Sequence, residues 1–274
     1  MQELNMISLK RNSKGELVPA TGLRTKPSSI YTPNQVKEFK ISRSKFSDFL
    51  KCKRCFYFDR VQGLVSPSTP GWTLNQATDL LLKKEFDECR EKQIPHRIFK
   101  QFGLDDVVPF RHKDLDLWRE PLHHGLQHQV ENSNLVLHGG IDDVWVDLNN
   151  QQLIIVDYKS QSSSKPVTKE TYLFGAYKQE YKIQLDFYAY LLVKMGFSVS
   201  PIGYFYVCNA DRSVDQFNGR LLFEETIIPY RWSIDWLEQQ ISLMTNVLNS
   251  DHFPDGNPAC ENCAYAMQRT RIES

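Results

Sequence analysis

Apolar residues recur at helical spacing in four parts of the chain. An apolar position every three or four residues predicts an amphipathic helix, and these helices cover about 42–60, 74–91, 180–194 and 233–248. In the first of them, Phe49, Cys52 and Phe56 lie along one stripe. Ser42 or Ser44 is suited to cap its amino end. Each stripe predicts a helix with one face packed on a core.

Short apolar runs bounded by turn residues predict strands in the middle and later parts of the chain. The runs cover 135–137, 144–146, 153–156, about 202–208 and about 220–228. Gly139-Gly140 separates the first two runs, and Asn149-Asn150 offers a turn between the second and third. Helices, a strand meander, a helix and further strands follow one another, an order that predicts a mixed α/β fold.

Two segments show no regular spacing of apolar residues. Residues 1–38 are polar with scattered glycine and proline, which predicts an irregular or loosely docked N-terminal arm. Residues 92–132 are rich in proline, histidine and charge and carry no firm assignment. We therefore expect the arm to precede a single domain over 39–274, with its core at about 130–230.

Composition narrows the class of protein. With 274 residues, 41% of them apolar, the chain can bury a large core and is not intrinsically disordered. The 33 basic and 33 acidic residues cancel, which excludes binding of polyanions by bulk charge but not by a local basic groove. Apolar runs are too short to span a bilayer, and a secretory signal is not apparent. We expect a cytoplasmic protein without a membrane partner.

The run from 153 to 159 ends in an acid and a lysine on the same strand face. Because side chains alternate along a strand, Asp157 and Lys159 share the face of Ile155. Asp142 lies at the start of the preceding run, and the turn at Asn149-Asn150 brings the two strands together. Two converging carboxylates suit Mg²⁺ or Mn²⁺. The alternative is a surface ion pair at a strand end, which an isolated D-x-K favours.

Three motifs around these residues resemble the PD-(D/E)XK nuclease superfamily. Asp142 is followed after fourteen residues by Asp157-Tyr158-Lys159, and it ends a Gly139-Gly-Ile-Asp142 version of the first acid. Gln184-Leu-Asp-Phe-Tyr188 is similar to the Q-x-x-x-Y helix of the RecB-like exonuclease branch, which includes CRISPR-associated nucleases. Ser42-Arg-Ser-Lys-Phe to Cys52-Lys-Arg-Cys-Phe-Tyr57 resembles the opening helix of that branch.

The resemblance implies a fold and a reaction. The fold is a restriction-endonuclease-like core, a central mixed sheet flanked by helices, with N-terminal helical and C-terminal cysteine-bearing additions. The reaction is metal-dependent hydrolysis of nucleic acid, with DNA favoured and an exonuclease-like mode. Asp142, Asp157 and the Tyr158 carbonyl would hold Mg²⁺ or Mn²⁺. Lys159 would orient or deprotonate the attacking water.

Gln184 and Tyr188 lie four residues apart and so share a helical face. Their implied role is to position Lys159 or the nucleic-acid backbone; the alternative is a core tyrosine beside a solvated glutamine. Where the branch often carries a histidine as a further metal ligand, this chain has Asp79. Asp79 is expected to point inward, either as a substitute ligand or in a buried ion pair.

Four of the six cysteines form two C-x2-C pairs near the ends of the predicted domain, Cys52 with Cys55 and Cys260 with Cys263. Four thiolates would bind a 4Fe-4S cluster or a zinc ion. Relatives with one early and three late cysteines use an iron–sulfur cluster, which favours iron–sulfur slightly. Because this chain has only two late cysteines, zinc or no metal stays open.

A local excess of positive charge lies at 37–60, where eight basic residues stand against three acidic ones. We expect this segment to contact phosphates through Arg43, Lys45, Lys51, Lys53 and Arg54. Two alternatives to a nuclease stay open. One is a non-catalytic nucleic-acid-binding or scaffold protein on the same fold, and the other is a cysteine-ligated zinc protein with an incidental D-x-K.

Overall fold

The computed structural model describes residues 9–67 and 71–274. Its strands are β1 Phe39–Ser42, β2 Val107–Pro109, β3 Leu126–Gln129, β4 Leu135–Gly139, β5 Asp143–Asp147, β6 Leu153–Gln161, β7 Ile202–Ala210 and β8 Phe223–Arg231. Its α-helices are α1 Arg43–Lys51, α2 Lys53–Arg60, α3 Thr73–Lys92, α4 Leu115–Arg119, α5 Gln179–Lys194, α6 Leu237–Leu248 and α7 Glu261–Glu273. None of the described helices combines the length and the apolar character needed to cross a bilayer.

The strands form two sheets. The larger has the order β2-β5-β6-β7-β8, and the smaller has the order β1-β4-β3. In the larger sheet β6 is antiparallel to β5 and parallel to β7. The mixed α/β fold predicted from the order of elements is therefore confirmed, with β6 as the central strand of the larger sheet.

The alternation predicted for β6 is present. Leu153 and Ile155 pack in the larger apolar cluster, which includes α5 and α6, whereas Ile154 and Val156 pack against α3 on the other face. Asp157 lies on the same face of the strand as Leu153 and Ile155. The central strand is thus buried on both faces as far as the acid.

The predicted helix over 42–60 is wrong in one respect, because it is two helices. Cys52 between α1 and α2 has an extended backbone (φ −157°, ψ 107°). Phe49 before the break and Phe56 after it are both buried, so the apolar stripe continues across the break and conceals it. Ser42 caps α1 as predicted, accepting a hydrogen bond from the Lys45 N–H at 3.4 Å.

The other predicted elements are present, although β8 lies three residues later than predicted and α6 begins at Leu237 and not at about 233; the structure also adds short or exposed elements. The region 92–132 contributes β2, α4 and β3, each of three to five residues. Such elements are too short to display a period. Helix α7 was not predicted from the sequence either, and none of its residues is buried.

The N-terminal arm is docked on the domain at several points, among them an ion pair of Arg24 with Asp59 of α2 and the side chain of Tyr31. Within 9–38 the regular structure is limited to isolated bridges and a single 3-10 turn at Pro27–Ser29. Tyr31 is 1% exposed, and its hydroxyl donates to Asn249 Oδ1 at 2.9 Å. Residues 1–8 of the predicted arm lie outside the described part of the chain.

Candidate active site

The first acid is delivered by a loop in which two glycines are sterically required. A Cβ on Gly139 would lie 2.7 Å from the Tyr188 ring, and one on Gly140 would lie 3.0 Å from the Pro121 Cα. Tyr188 also donates its hydroxyl proton to the Gly140 carbonyl at 2.6 Å. The loop is therefore clamped between α5 and Pro121 immediately before Asp142.

The two predicted acids converge at the middle of β6 and not at its end, because the strand continues beyond Lys159 to Gln161. The Asp142 carboxylate accepts a hydrogen bond from the Tyr158 N–H at 2.8 Å. Asp157 is fully buried; its carboxylate forms an ion pair with Lys159, and no other donor from the described residues satisfies it. Burial raises the pKa of Asp157 to about 7, an effect that Lys159 opposes and Asp142 reinforces. A buried, poorly satisfied carboxylate beside a second one fits a divalent cation.

Lys159 lies among aromatic rings and a second lysine. Its Nζ is 4.8 Å from the centroid of the Tyr181 ring. Lys178 Nζ lies 4.6 Å from the same centroid and 3.9 Å from that of Tyr172. Burial, and then the charge of Lys159, lower the pKa of Lys178. The site thus offers two cationic side chains held on aromatic faces.

Helix α5 presents the predicted polar pair on one face. Gln184 Nε2 donates to the Tyr188 hydroxyl at 3.3 Å. The Tyr188 hydroxyl in turn donates to the Gly140 carbonyl, and so it positions the loop before Asp142 and not Lys159. The α5 side chain that contacts Lys159 is Tyr181, which the sequence analysis missed. Its position, three residues before Gln184, was the available signal, since residues at i, i+3 and i+7 share a helical face.

A cavity of about 490 Å³ opens at these residues. Its lining includes Asp142 and Lys159 together with Arg43, Trp72, Asp79 and Gln184. Asp79 is less buried than predicted: its side chain is 35% exposed and pairs with Lys83 at 2.8 Å. Burial, and then the charge of Asp142, raise the pKa of Asp79. The structure therefore places Asp79 beside the acids without enclosing it.

A second buried acid, Asp143, belongs to the opposite face of β5. Its carboxylate pairs with Arg90 and Arg119 and accepts hydrogen bonds from the Trp145 Nε1–H at 3.3 Å and the Tyr158 hydroxyl at 2.7 Å. The alternation of the strand predicts this orientation, but it does not predict these partners. Asp143 is thus a well-satisfied structural acid.

The predicted phosphate-binding residues differ in their surroundings. Arg43 lines the cavity that holds the acids. Lys45 forms ion pairs with Asp48 at 2.8 Å and Asp59 at 2.9 Å. Arg43 therefore lies on the same cavity wall as Asp142, whereas the charge of Lys45 is largely balanced by its two acidic partners.

The three remaining basic residues lie toward the carboxyl end of α1 and along α2. Lys51 pairs with Glu180 at 2.5 Å, and Arg54 Nε donates to the Pro254 carbonyl at 3.0 Å. Lys53 is exposed. The local positive charge seen in the sequence is thus partly neutralised by residues from other parts of the chain.

The four paired cysteines come together between the α1–α2 junction and the start of α7. Their Sγ atoms all lie within 4.8 Å of one another, and all four are free thiols. Burial raises the pKa of Cys52, but hydrogen bonds from the backbone N–H groups of Asn257 and Cys55 outweigh it and bring that pKa to about 7. The convergence of two pairs separated by 204 residues is the arrangement that a four-thiolate metal site requires.

A mixed sheet whose central strand carries an acid and a lysine, with a second acid beside them, is consistent with a restriction-endonuclease-like core. The chain belongs to the PD-(D/E)XK nuclease superfamily, whose sequence profile matches residues 69–268. The matched part contains both acids, the lysine and α5, but not α1 and α2. No curated protein matches the chain.

Proposed function

We propose that this protein is a Mg²⁺- or Mn²⁺-dependent nuclease that hydrolyses phosphodiester bonds in DNA, in an exonuclease-like mode. The observation that carries the proposal is the fully buried Asp157 carboxylate, which has Lys159 as its charged partner and Asp142 close by. Membership of a nuclease superfamily supports the same conclusion and argues against an incidental D-x-K.

In the proposed mechanism Asp142, Asp157 and the Tyr158 carbonyl would hold the divalent ion, and Asp79 on the cavity wall would be a further ligand. When bound, such an ion polarises the phosphoryl oxygen and lowers the pKa of a coordinated water. Lys159 donates a hydrogen bond that orients the attacking water, and its charge opposes the negative charge that develops on the phosphoryl oxygens.

Other residues position the substrate and the acids. Tyr188 holds the Gly140 carbonyl and so keeps the loop before Asp142 in place. Arg43, on the cavity wall, neutralises a phosphate next to the bond that is cleaved. Trp72 on the same wall is 78% exposed and offers a face on which an unpaired base can stack. This feature favours an unpaired strand end as the substrate.

We further propose that the chain belongs to the RecB-like branch and acts in the cytoplasm. Its support is the joint occurrence of the Gly139-Gly-Ile-Asp142, Asp157-Tyr158-Lys159 and Gln184/Tyr188 motifs within one site. The competing proposal is a non-catalytic nucleic-acid-binding protein. The presence of both acids and the lysine disfavours it, because a decayed site is expected to lose one of them.

The test is a cleavage panel with end-labelled single- and double-stranded DNA and RNA and with circular DNA, each with Mn²⁺, Mg²⁺ or EDTA. We expect metal-dependent degradation of linear DNA, no cleavage of circular DNA, and loss of activity in Asp157→Asn. Lys165→Ala serves as the control for Lys159→Ala, because Lys165 is an exposed lysine beyond the end of β6. Binding without cleavage in every combination would favour the non-catalytic alternative.

A further inference from the structure

The four cysteine sulfurs are close enough to test which metal they fit. Cys52 Sγ lies 3.6 Å from Cys263 Sγ, and Cys55 Sγ lies 3.6 Å from Cys260 Sγ and 3.4 Å from Cys263 Sγ. All four sulfurs are within 4.8 Å of one another. They therefore enclose a volume suited to one atom.

These separations match one tetrahedral ion. With a metal–sulfur bond of about 2.3 Å, four thiolates around a single zinc lie about 3.8 Å apart. A 4Fe-4S cluster instead binds each thiolate through a different iron at a corner of the cube, which requires sulfurs roughly 6 Å apart. The arrangement fits a single ion and does not fit the cluster.

We propose that Cys52, Cys55, Cys260 and Cys263 bind one zinc ion in a closed structural site, and not the iron–sulfur cluster that the family resemblance implies. Four protein thiolates leave no open coordination position, and zinc undergoes no redox change. The site is therefore neither catalytic nor a redox sensor. This proposal is independent of the proposed nuclease activity.

The location of the site indicates what the zinc does. Helix α7 (Glu261–Glu273) has no buried residue, so it lacks an apolar face that could hold it on the body of the protein. The segment before it is tied to α1 and α2 by polar contacts. Asn257 Nδ2 donates to the Lys51 carbonyl at 2.9 Å, and Arg54 Nε donates to the Pro254 carbonyl at 3.0 Å. Zinc would anchor α7 through its first turn.

The same ion would also stabilise the junction between the two N-terminal helices. Cys52 is the single extended residue between α1 and α2, and Cys55 lies in the first turn of α2. A metal bond to each fixes the angle between these helices. The opposite end of α1 carries Arg43, which lines the candidate active site. The zinc site therefore supports one wall of that cavity from a distance.

The first experiment measures metal in the full-length chain purified without oxygen from iron-supplemented cells. We expect one zinc per chain, no iron, no acid-labile sulfide and a colourless solution. Incubation with ferrous iron and sulfide should build no cluster. Iron and sulfide in stoichiometric amounts, in the purified or the reconstituted protein, would overturn the proposal; so would the absence of both metals.

The second experiment probes the ligands by replacing zinc with Co²⁺. Four thiolates around Co²⁺ should give the strong red-region absorption of a tetrahedral sulfur site. Cys260→Ser should weaken this absorption and lose zinc on dialysis. Cys89→Ser, a partly buried cysteine of α3 away from the cluster, is the matched control and should keep both. Equal zinc retention in the two variants would refute the ligand assignment.

The third experiment tests the structural role with Mg²⁺ in excess. A zinc-selective chelator should lower the Tm of the wild-type protein by about 5 °C or more, because the metal-binding energy is folding energy. Trypsin should then cleave rapidly after Arg269 and Arg271 in α7. Removal of zinc with neither effect would refute the anchoring role.

Discussion

Replacing Asp157 by asparagine is expected to stabilise the metal-free protein, although it removes a residue at the centre of the candidate active site. Replacing Asp143 on the neighbouring strand should have the opposite effect. Both carboxylates are fully buried. Asp143 has two arginine partners, Arg90 and Arg119, whereas Asp157 has one charged partner, Lys159. The two substitutions are expected to change the stability in opposite directions, because two arginines balance the charge of Asp143 and a single lysine balances that of Asp157.

The magnitude follows from the pKa of Asp157, which burial raises from 3.8 to about 7. Three pKa units correspond to about 4 kcal/mol in favour of the neutral form at pH 8. Asparagine is neutral and similar in shape, but a buried amide without partners costs about 1–3 kcal/mol. The net gain is then about 1–3 kcal/mol, or roughly 3–10 °C in Tm.

The contribution of Asp157 to the stability of the folded protein should decrease as the pH rises. Because folding raises the pKa of Asp157, the folded protein binds this proton more tightly than the unfolded chain does. The contribution of the protonated carboxyl is fully present below about pH 4 and is lost as the pH rises toward 7. The Tm advantage of Asp157→Asn should therefore be absent at pH 4 and largest at pH 8.

The assay is thermal unfolding of both proteins from pH 4 to pH 8, without added Mg²⁺ or Mn²⁺. A second series adds Mn²⁺, which should raise the Tm of the wild-type protein and leave that of Asp157→Asn unchanged, since the variant lacks a metal ligand. A variant no more stable than wild type at pH 8 would refute the view of Asp157 as an uncompensated buried charge. An equal response to Mn²⁺ would refute its role as a ligand.

Three further predictions concern the surroundings of the acids. Lys159→Ala should lower the cleavage rate at least about 100-fold, because it removes a preorganised charge, and should also lower the Tm, because it leaves Asp157 buried without its charged partner; equal rates in this variant and in Lys165→Ala would contradict the assignment. Asp143→Asn should lower the stability by about 2–4 kcal/mol in a denaturant titration, since it leaves two buried guanidiniums undercompensated; a change within error would show that Asp143 is not a structural acid. Tyr188→Phe removes the 2.6 Å hydrogen bond to the Gly140 carbonyl, and should cost about 1 kcal/mol of stability and slow cleavage; an unchanged rate would mean that the loop before Asp142 needs no clamp.

The positions of β5 and β6 near the two acids, and the residues that share a face of β6, could be predicted from the local sequence. Alternation within β6 is a local property of an extended chain, and a short turn joins β5 to β6. The convergence of Asp142 with Asp157 and Tyr158 therefore follows from residues 139–159 alone. The shared face of Gln184 and Tyr188 was equally predictable, because helical spacing fixes it.

Other features depend on partners that are distant in sequence. Tyr31 is buried because it meets Asn249, and Lys51 is neutralised because α5 brings Glu180 to it. A basic cluster in the sequence therefore overstated the free positive charge in the structure. The break at Cys52 escaped detection because the apolar stripe continues on both sides of it.

The cysteines show most clearly which features local sequence predicts and which depend on the tertiary structure. Two C-x2-C pairs predicted a metal site, but pair spacing alone suits zinc and an iron–sulfur cluster equally well. The choice depends on sulfur–sulfur distances across more than 200 residues of chain, such as the 3.4 Å between Cys55 and Cys263. Local periodicity carries no information about such distances, because they are set by how α1, α2 and the segment before α7 pack. Only the tertiary structure could distinguish a cavity for one ion from a cavity for a cluster.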